Sequence, residues 1–387
     1  MADKKMIYLT YGEPPSGVYS GQVCDVVNHL KKELQVPIKL VAFISMQQFG
    51  DNKKKILIEC PDAIVFPMLP RAVYWRCNIF WLWMICLFLQ PKAIIARNVI
   101  AANMALRVKP FSSVKKICFD GRGAIAAEWS EYEVTVAPQW KKEINTLEKD
   151  AVLKSDCRIA VSQHLVNYWK TNYNYTGNQH AVIPCTISAS FISVLPEDDF
   201  IVAKRKSMGY ESDDLLFAYS GSTAGWQSFN LLKEFLDPLL GSSVKNKVLF
   251  LAKSESNIDA LKASYPNQVT QQWLQHNEVK EVLNSCDFGV LIRENTVTNQ
   301  VASPTKFAEY LACGLPVIIS DNLGDYSSFV EQHNCGIKLN GNAQNPGFNR
   351  PTKNEKLRMT ELVRSNFTKQ ACNPQYKQII NWLSATN

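Results

Sequence analysis

The chain has 387 residues, 46% of them hydrophobic and 20% charged, which is longer than one hydrophobic core usually organises and excludes a disordered or low-complexity protein. Two domains of ordinary size are expected. The charge is uneven, since residues 1–195 hold 23 Lys+Arg against 15 Asp+Glu while residues 196–387 hold 19 against 20, so the basic first half favours an anionic partner such as lipid headgroups or phosphorylated acceptors. Without a helix-turn-helix, RNA-recognition or zinc-finger pattern, nucleic acid is set aside.

Short apolar runs alternate with longer amphipathic ones, as in βαβ units with parallel sheets. The first half predicts strands at 5–9, 39–43, 63–66, 93–96, 116–119, 158–161 and 181–183, with helices at 22–34, 140–154 and 164–170. This is one doubly wound domain. The pattern loosens through residues 186–214, a candidate linker, and a second series follows. It has strands at 215–219, 247–251, 288–292 and 316–320, and helices near 228–235, 277–285, 305–312 and 354–366. Two such domains leave a cleft between the carboxyl ends of their strands, where ligands bind in open sheets.

Five segments stand out along this order. The turn Tyr11–Gly21 (YGEPPSGVYSG) follows the first strand, and Gly17 and Gly21 would let backbone approach an anion or hydroxyls at a helix start. It does not follow G-x-G-x-x-G, and a plain turn is the alternative. The segment Arg71–Lys92 (RAVYWRCNIFWLWMICLFLQPK) carries three of the nine tryptophans, and its uncharged stretch Cys77–Gln90 is too short to span a bilayer. It is either a helix buried all round or one whose Trp/Phe face meets a membrane surface, with Arg71, Arg76 and Lys92 at its ends.

At Phe119–Glu128 (FDGRGAIAAE) a strand ends in Asp120, and Arg122 follows between Gly121 and Gly123. That turn suits a polyol or phosphate, the alternative being a local ion pair bracing it. Glu128 lies just beyond. In Tyr219–Gln227 (YSGSTAGWQ), Gly221, Ser222 and Thr223 would present donors near a helix N-terminus, although a plain βα turn explains them nearly as well.

The fifth segment, Asp287–Ser320, delivers Arg293 and Glu294 from a strand, then Ser303 and Pro304 open a helix whose first turn exposes Thr305 and Lys306. Glu309 lies one turn beyond Lys306, so a cation and a carboxylate share one helical face. Such a pair can hold a diphosphate and a ribose diol, or be a surface ion pair.

The 11 cysteines contain no C-x-x-C pair and follow no secretory leader, which points to reduced thiols in the cytoplasm. The five histidines show no H-E-x-x-H spacing, so no metal is expected.

The run SPTKFAEYLACGLPVI (303–318) resembles the donor-site signature of retaining GT-B glycosyltransferases of glycosyltransferase family 4, in the branch that builds capsular, O-antigen and cell-wall polysaccharides. The N-terminal glycine turn, the D-x-R-G loop, LEKDAVLKSDCRIAVSQHL, the strand ending VIPC and YSGS…WQ follow the same order. The resemblance implies an α/β GT-B fold of two Rossmann-like domains. These would be an acceptor-binding domain over 1–190, to which a C-terminal helix within 371–387 returns, and a nucleotide-sugar domain over 191–370.

It also implies a metal-independent hexosyl or N-acetylhexosaminyl transfer from a UDP-sugar to a lipid-linked glycan, in surface polysaccharide (capsule or lipopolysaccharide) biosynthesis. The nucleotide sugar is a substrate, so no cofactor is implied. The protein would be cytoplasmic, with peripheral contact at the inner face of the plasma membrane.

On this reading Arg293 and Lys306, offsetting the family's usual phosphate-binding cations, would act as electrostatic catalysts with Asp120. Glu309, Thr305, Ser303, Gly221, Ser222 and Arg122 bind the donor, and Gly17, Gly21 and Glu128 face the acceptor. The sequence departs from the family in two places. The carboxylate expected eight positions before Glu309 is Val301, and the usual phosphate-binding Arg and Lys are replaced by Ser222 and by Trp226–Gln227. A catalytically inert nucleotide-sugar or glycan-binding partner, and a soluble-acceptor GT-B enzyme or epimerase, remain as alternatives.

Overall fold

The structure, a computed structural model, describes residues 5–69, 72–132, 138–188, 191, 194–222, 225–339 and 347–385. The chain forms two compact units. The first comprises Met1–Thr186, Val301–Ser303 and Lys369–Asn387, and the second Ile187–Gln300 and Pro304–Thr368.

Among the described residues the first unit is built on seven parallel strands: β1 (Met6–Tyr11), β2 (Ile38–Ile44), β3 (Ile64–Pro67), β4 (Ala93–Arg97), β5 (Lys116–Gly121), β6 (Cys157–Ala160) and β7 (His180–Val182). Their order is β3-β2-β1-β4-β5-β6-β7. Met6 sits beside both Ile38 and Ala93, and every residue of β1 is buried, as a central strand covered on both faces requires. The helix Asn373–Ser384 packs on β5, β6 and β7, where Tyr376, Ile379 and Leu383 share a core with Cys118, Cys157 and Ala181.

Among the described residues the second unit has six strands: β8 (Leu215–Ser220), β9 (Asn246–Leu251), β10 (Val269–Gln272), β11 (Phe288–Leu291), β12 (Val317–Ser320) and β13 (Gly336–Leu339), ordered β10-β9-β8-β11-β12-β13. Both sheets reverse direction between their first and fourth strands, the doubly wound pattern whose ligand crevice lies at that switch point. Gly289 in β11 is fixed by packing. A Cβ there would lie 2.3 Å from the ring of Tyr310, on the helix Thr305–Ala312.

Some elements differ from the sequence expectation. The edge strands β10 and β13 were not expected, and the candidate linker contains a helix, Asp198–Ser207. The Trp-rich segment forms the helix Asn78–Leu89, which is not buried all round. Leu82, Ile85 and Cys86 face inward, where the helix meets the helix Val99–Val108, while Phe80, Met84, Leu87 and Phe88 face solvent. Arg71, expected at its start, lies outside the described residues. No described helix is long and apolar enough to cross a membrane.

Candidate functional site

At the switch point of the second unit, β8 and β11 end side by side. Arg293 follows β11 and is 8% exposed, and its N–H donates to the Ser320 hydroxyl at the end of β12 at 2.8 Å. The next N–H, of Glu294, donates to Ser228 Oγ at 2.8 Å. These bonds tie the Arg293 turn to its neighbours on both sides. Tyr219, in β8, has its phenol pushed up to about 12 by burial, with Arg293 acting in the opposite direction. Gly221 follows β8 with φ of +152°. Ser222 is exposed and its carbonyl accepts the Tyr219 hydroxyl at 2.8 Å. Thr223, expected beside it, lies outside the described residues.

The helix Thr305–Ala312 has the bounds the sequence suggests, and Pro304 stands at its cap with an extended ψ of 117° rather than in its first turn. Its anchor is Tyr310, whose hydroxyl accepts the Ser220 N–H at 2.8 Å and so fixes the helix to the end of β8. In the first turn Thr305 and Lys306 are half-buried. Lys306 Nζ lies 2.7 Å from Glu309 Oε2, so the spacing of three does place cation and carboxylate on one face. Ser303 does not cap this helix. Its Oγ accepts the Cys185 N–H at 2.8 Å, and the segment Val301–Ser303 belongs to the first unit, where Ser162 Oγ donates to the Val301 carbonyl at 2.8 Å.

The first unit's switch point, between β1 and β4, is filled by charge. Asp120, at the carboxyl end of β5, has no exposed surface. It accepts the Tyr8 hydroxyl at 2.5 Å, pairs with Arg122 at 2.8 Å, and has Arg97 4.0 Å away. Arg97 in turn holds Glu13 at 2.8 Å. Burial acts against the Arg122 charge and Asp120 outweighs it, holding the guanidinium pKa well above its ordinary value. The Asp120 carboxylate, expected among the catalytic groups, is thus enclosed and paired with Arg122.

A Cβ on Gly121 would lie 2.6 Å from the Trp169 ring, so this glycine serves packing, and Gly123 faces open space. In the N-terminal turn it is Gly12 that takes the left-handed φ of +80°. Gly17 is exposed at the helix start, where Ser16 accepts the Tyr19 N–H at 3.3 Å, and Gly21 is buried in a π-helical turn, Ser20–Cys24. Glu128 is half-buried, its pKa raised by burial and by Glu131. The start of its helix, Ile125–Glu131, is held by Glu148, which accepts the Ala126 N–H at 2.8 Å.

Within each unit the structure therefore joins Asp120 to Arg122 and Lys306 to Glu309, and sets Arg293, Gly221 and Ser222 at one edge. Sequence reasoning missed Tyr8, Arg97 and Glu13, which reach Asp120 across long separations. It also missed Trp273, just past β10 at the same edge of the second sheet. Trp273 is 62% exposed, with Lys253 Nζ 5.0 Å from its ring centre. The cavity of about 600 Å³ beside Arg205 and Arg350 lies at the opposite, amino ends of that sheet and is no part of this edge.

This architecture is the GT-B fold. The chain is similar to Anabaena HepE in complex with UDP, at 12% identity and a TM-score of 0.69 over 97% of this chain and 99% of that one. It is similar to sucrose-phosphate synthase from Thermosynechococcus elongatus, also at 12% and 0.69, over 98% and 99%. A glycosyltransferase from Rickettsia africae matches at 11% and 0.69 over the full length of both chains. Residues 241–344, which include Arg293, Lys306 and Glu309, match the family described as Glucosyltransferase 3-like, C-terminal domain. The solved structures share the fold with this chain, and the family match places the stretch that carries Arg293, Lys306 and Glu309 among glucosyltransferase-like sequences. No curated protein matches the chain.

Proposed function

We propose that the protein is a retaining, metal-independent glycosyltransferase that moves a sugar from a UDP-sugar to a lipid-linked glycan in surface polysaccharide assembly. The donor binds at the carboxyl edge of the second unit, and the first unit takes the acceptor. The observation that carries this reading is Arg293 just past the end of β11 at the switch point, followed by a helix whose first turn pairs Lys306 with Glu309. Arg293 and Lys306 stabilise the charge that develops on the leaving diphosphate, and Glu309 takes the ribose diol. Trp273 offers a face for the nucleobase.

In the transfer the bond from the anomeric carbon to the phosphate oxygen breaks, and a bond to the acceptor oxygen forms on the same face. The acceptor proton passes to the departing diphosphate, so no protein base is required. Arg122, aimed by Asp120, orients a sugar or phosphate in the first unit, together with the backbone around Gly17 and Gly21 and with Glu128.

One observation favours a second reading, a catalytically inert binder: the position of the sugar-contacting carboxylate is Val301, an apolar residue 3% exposed. Thermal unfolding with a panel of nucleotides, followed by assay for UDP release, separates the two. A ligand at about 100 times its dissociation constant adds roughly 2.7 kcal/mol of stability. A UDP shift abolished by Glu309→Ala, with turnover, supports the transferase. The same shift with no UDP release from any acceptor supports the inert binder, and no shift with any nucleotide removes the donor site.

A further inference from the structure

We propose that one face of the first unit docks on an anionic phospholipid bilayer, through the outward side of the helix Asn78–Leu89 and a lysine-lined cavity at its foot. Phe80, Met84, Leu87 and Phe88 are 54%, 44%, 45% and 87% exposed, and their spacing places them on one stripe of a helix that carries no charged residue. The stripe extends sideways to Phe111, 73% exposed, whose carbonyl accepts the Trp83 indole N–H at 2.9 Å. Trp81 and Trp83 are half-buried on the same helix, and such amphipathic rings favour the headgroup level of a bilayer. A contiguous apolar patch of this kind marks an interaction site. Twelve residues are too few to span the membrane, so the helix lies in its surface.

The occupant is selected by a second feature. At the last turn of the helix, Leu89 and Pro91 border a cavity of about 350 Å³ that also contacts Lys5, Lys31, Lys39 and Asp62. Lys31 holds Asp62 at 2.5 Å, so the lining has three lysines and one carboxylate that is already engaged. Exposed Lys92 and Lys115 continue the basic surface. The Lys92 N–H donates to the Lys5 carbonyl and the Lys115 N–H to the Lys92 carbonyl, each at 2.8 Å. An apolar stripe that ends in a basic cavity matches the stacked layers of a lipid leaflet, acyl chains beneath anionic phosphates. This goes beyond the transferase reading, since it asks nothing of the donor edge.

The test is sedimentation of the full chain with phosphatidylcholine vesicles, with and without phosphatidylglycerol. The wild type is expected to prefer the anionic vesicles and to be released by salt. Phe80→Ser with Phe88→Ser is expected to lower the bound fraction about tenfold or more. Lys5→Glu with Lys92→Glu and Lys115→Glu is expected to abolish the preference for phosphatidylglycerol. All five side chains are exposed, so the variants should keep the wild-type melting temperature and its shift with UDP.

Equal binding to both vesicle types, or binding to neither, overturns the proposal. So does a Phe variant that dissociates a dimer while leaving vesicle binding unchanged, since the stripe then covers a second copy. Loss of the UDP shift with vesicle binding intact breaks the donor assignment and supports this one.

Discussion

At the carboxyl edge of the first sheet Asp120 is wholly enclosed by Tyr8, Arg122 and Arg97, whereas at the same edge of the second sheet Lys306 keeps 29% of its side chain exposed. The two sheets share one strand order up to the sixth strand, so topology alone does not decide what such an edge does. In the first unit the charges neutralise one another across β1, β4 and β5 and leave a braced platform. In the second they come from a loop and a helix start, and the backbone that carries them is tied by Ser320, Ser228 and Tyr310. Charge braced by charge across three strands distinguishes the first edge, and backbone tied by neighbouring side chains distinguishes the second.

The largest effect expected from this contrast is on stability. Asp120→Ala strands the Arg122 guanidinium in a buried network and should cost about 3–5 kcal/mol in urea unfolding. A loss below about 1 kcal/mol would mean that the first edge is not braced by this carboxylate. At the second edge, Arg293→Ala and Lys306→Ala should each lower turnover by about 100-fold or more and leave stability within about 1 kcal/mol. If both variants turn over normally, the diphosphate lies elsewhere.

A third test concerns pH. Burial raises the Glu148 carboxyl from 4.5 to about 7, against the opposing pull of the Ala126 N–H. The folded state thus favours the protonated acid, and its contribution is present below pH 4.5 and lost as pH rises through about 7. Glu148→Gln should therefore be more stable than the wild type above neutral pH, by on the order of 2 kcal/mol, and no different in acid. A variant that loses stability at every pH would show that the negative charge at the start of the helix Ile125–Glu131 outweighs its burial. The smallest effect is Trp273→Ala, expected to weaken UDP binding by about 1 kcal/mol, roughly fivefold in a titration. Unchanged affinity would remove Trp273 as the nucleobase face.

Most of the strands could be read in the sequence because a strand buried on both faces is a continuous apolar run, as in Met6–Tyr11. The strands that escaped are edges. Val269–Gln272 reads VTQQ with three half-buried residues, and Gly336–Leu339 is half-buried throughout, so neither forms an apolar run. The helix Asp198–Ser207 escaped because Arg205 is its one buried residue, held by Asp287 rather than by apolar packing.

For the candidate sites, local pairs were legible and distant ones were not. Lys306 and Glu309 are three apart on a helix, and Asp120 and Arg122 two apart at a strand end. The residues that decide whether Asp120 is open or enclosed arrive from β1 and β4, and no spacing in the chain announces them. Trp273 is an exposed aromatic outside any periodic pattern, and only its place at the sheet edge singles it out.

The helix Asn373–Ser384 closes the core of a sheet whose last strand ends at Val182. While the chain is being made, the ribosome must add roughly 200 residues after that strand, about 10–40 s of synthesis, before the covering helix emerges. Throughout that interval Cys118, Cys157 and Ala181 lack the cover they have in the finished protein. A nascent chain in this state is a natural client for chaperones. Fragments ending near residue 190 should expose the same apolar floor, and the first unit made on its own would need the C-terminal helix joined back to it.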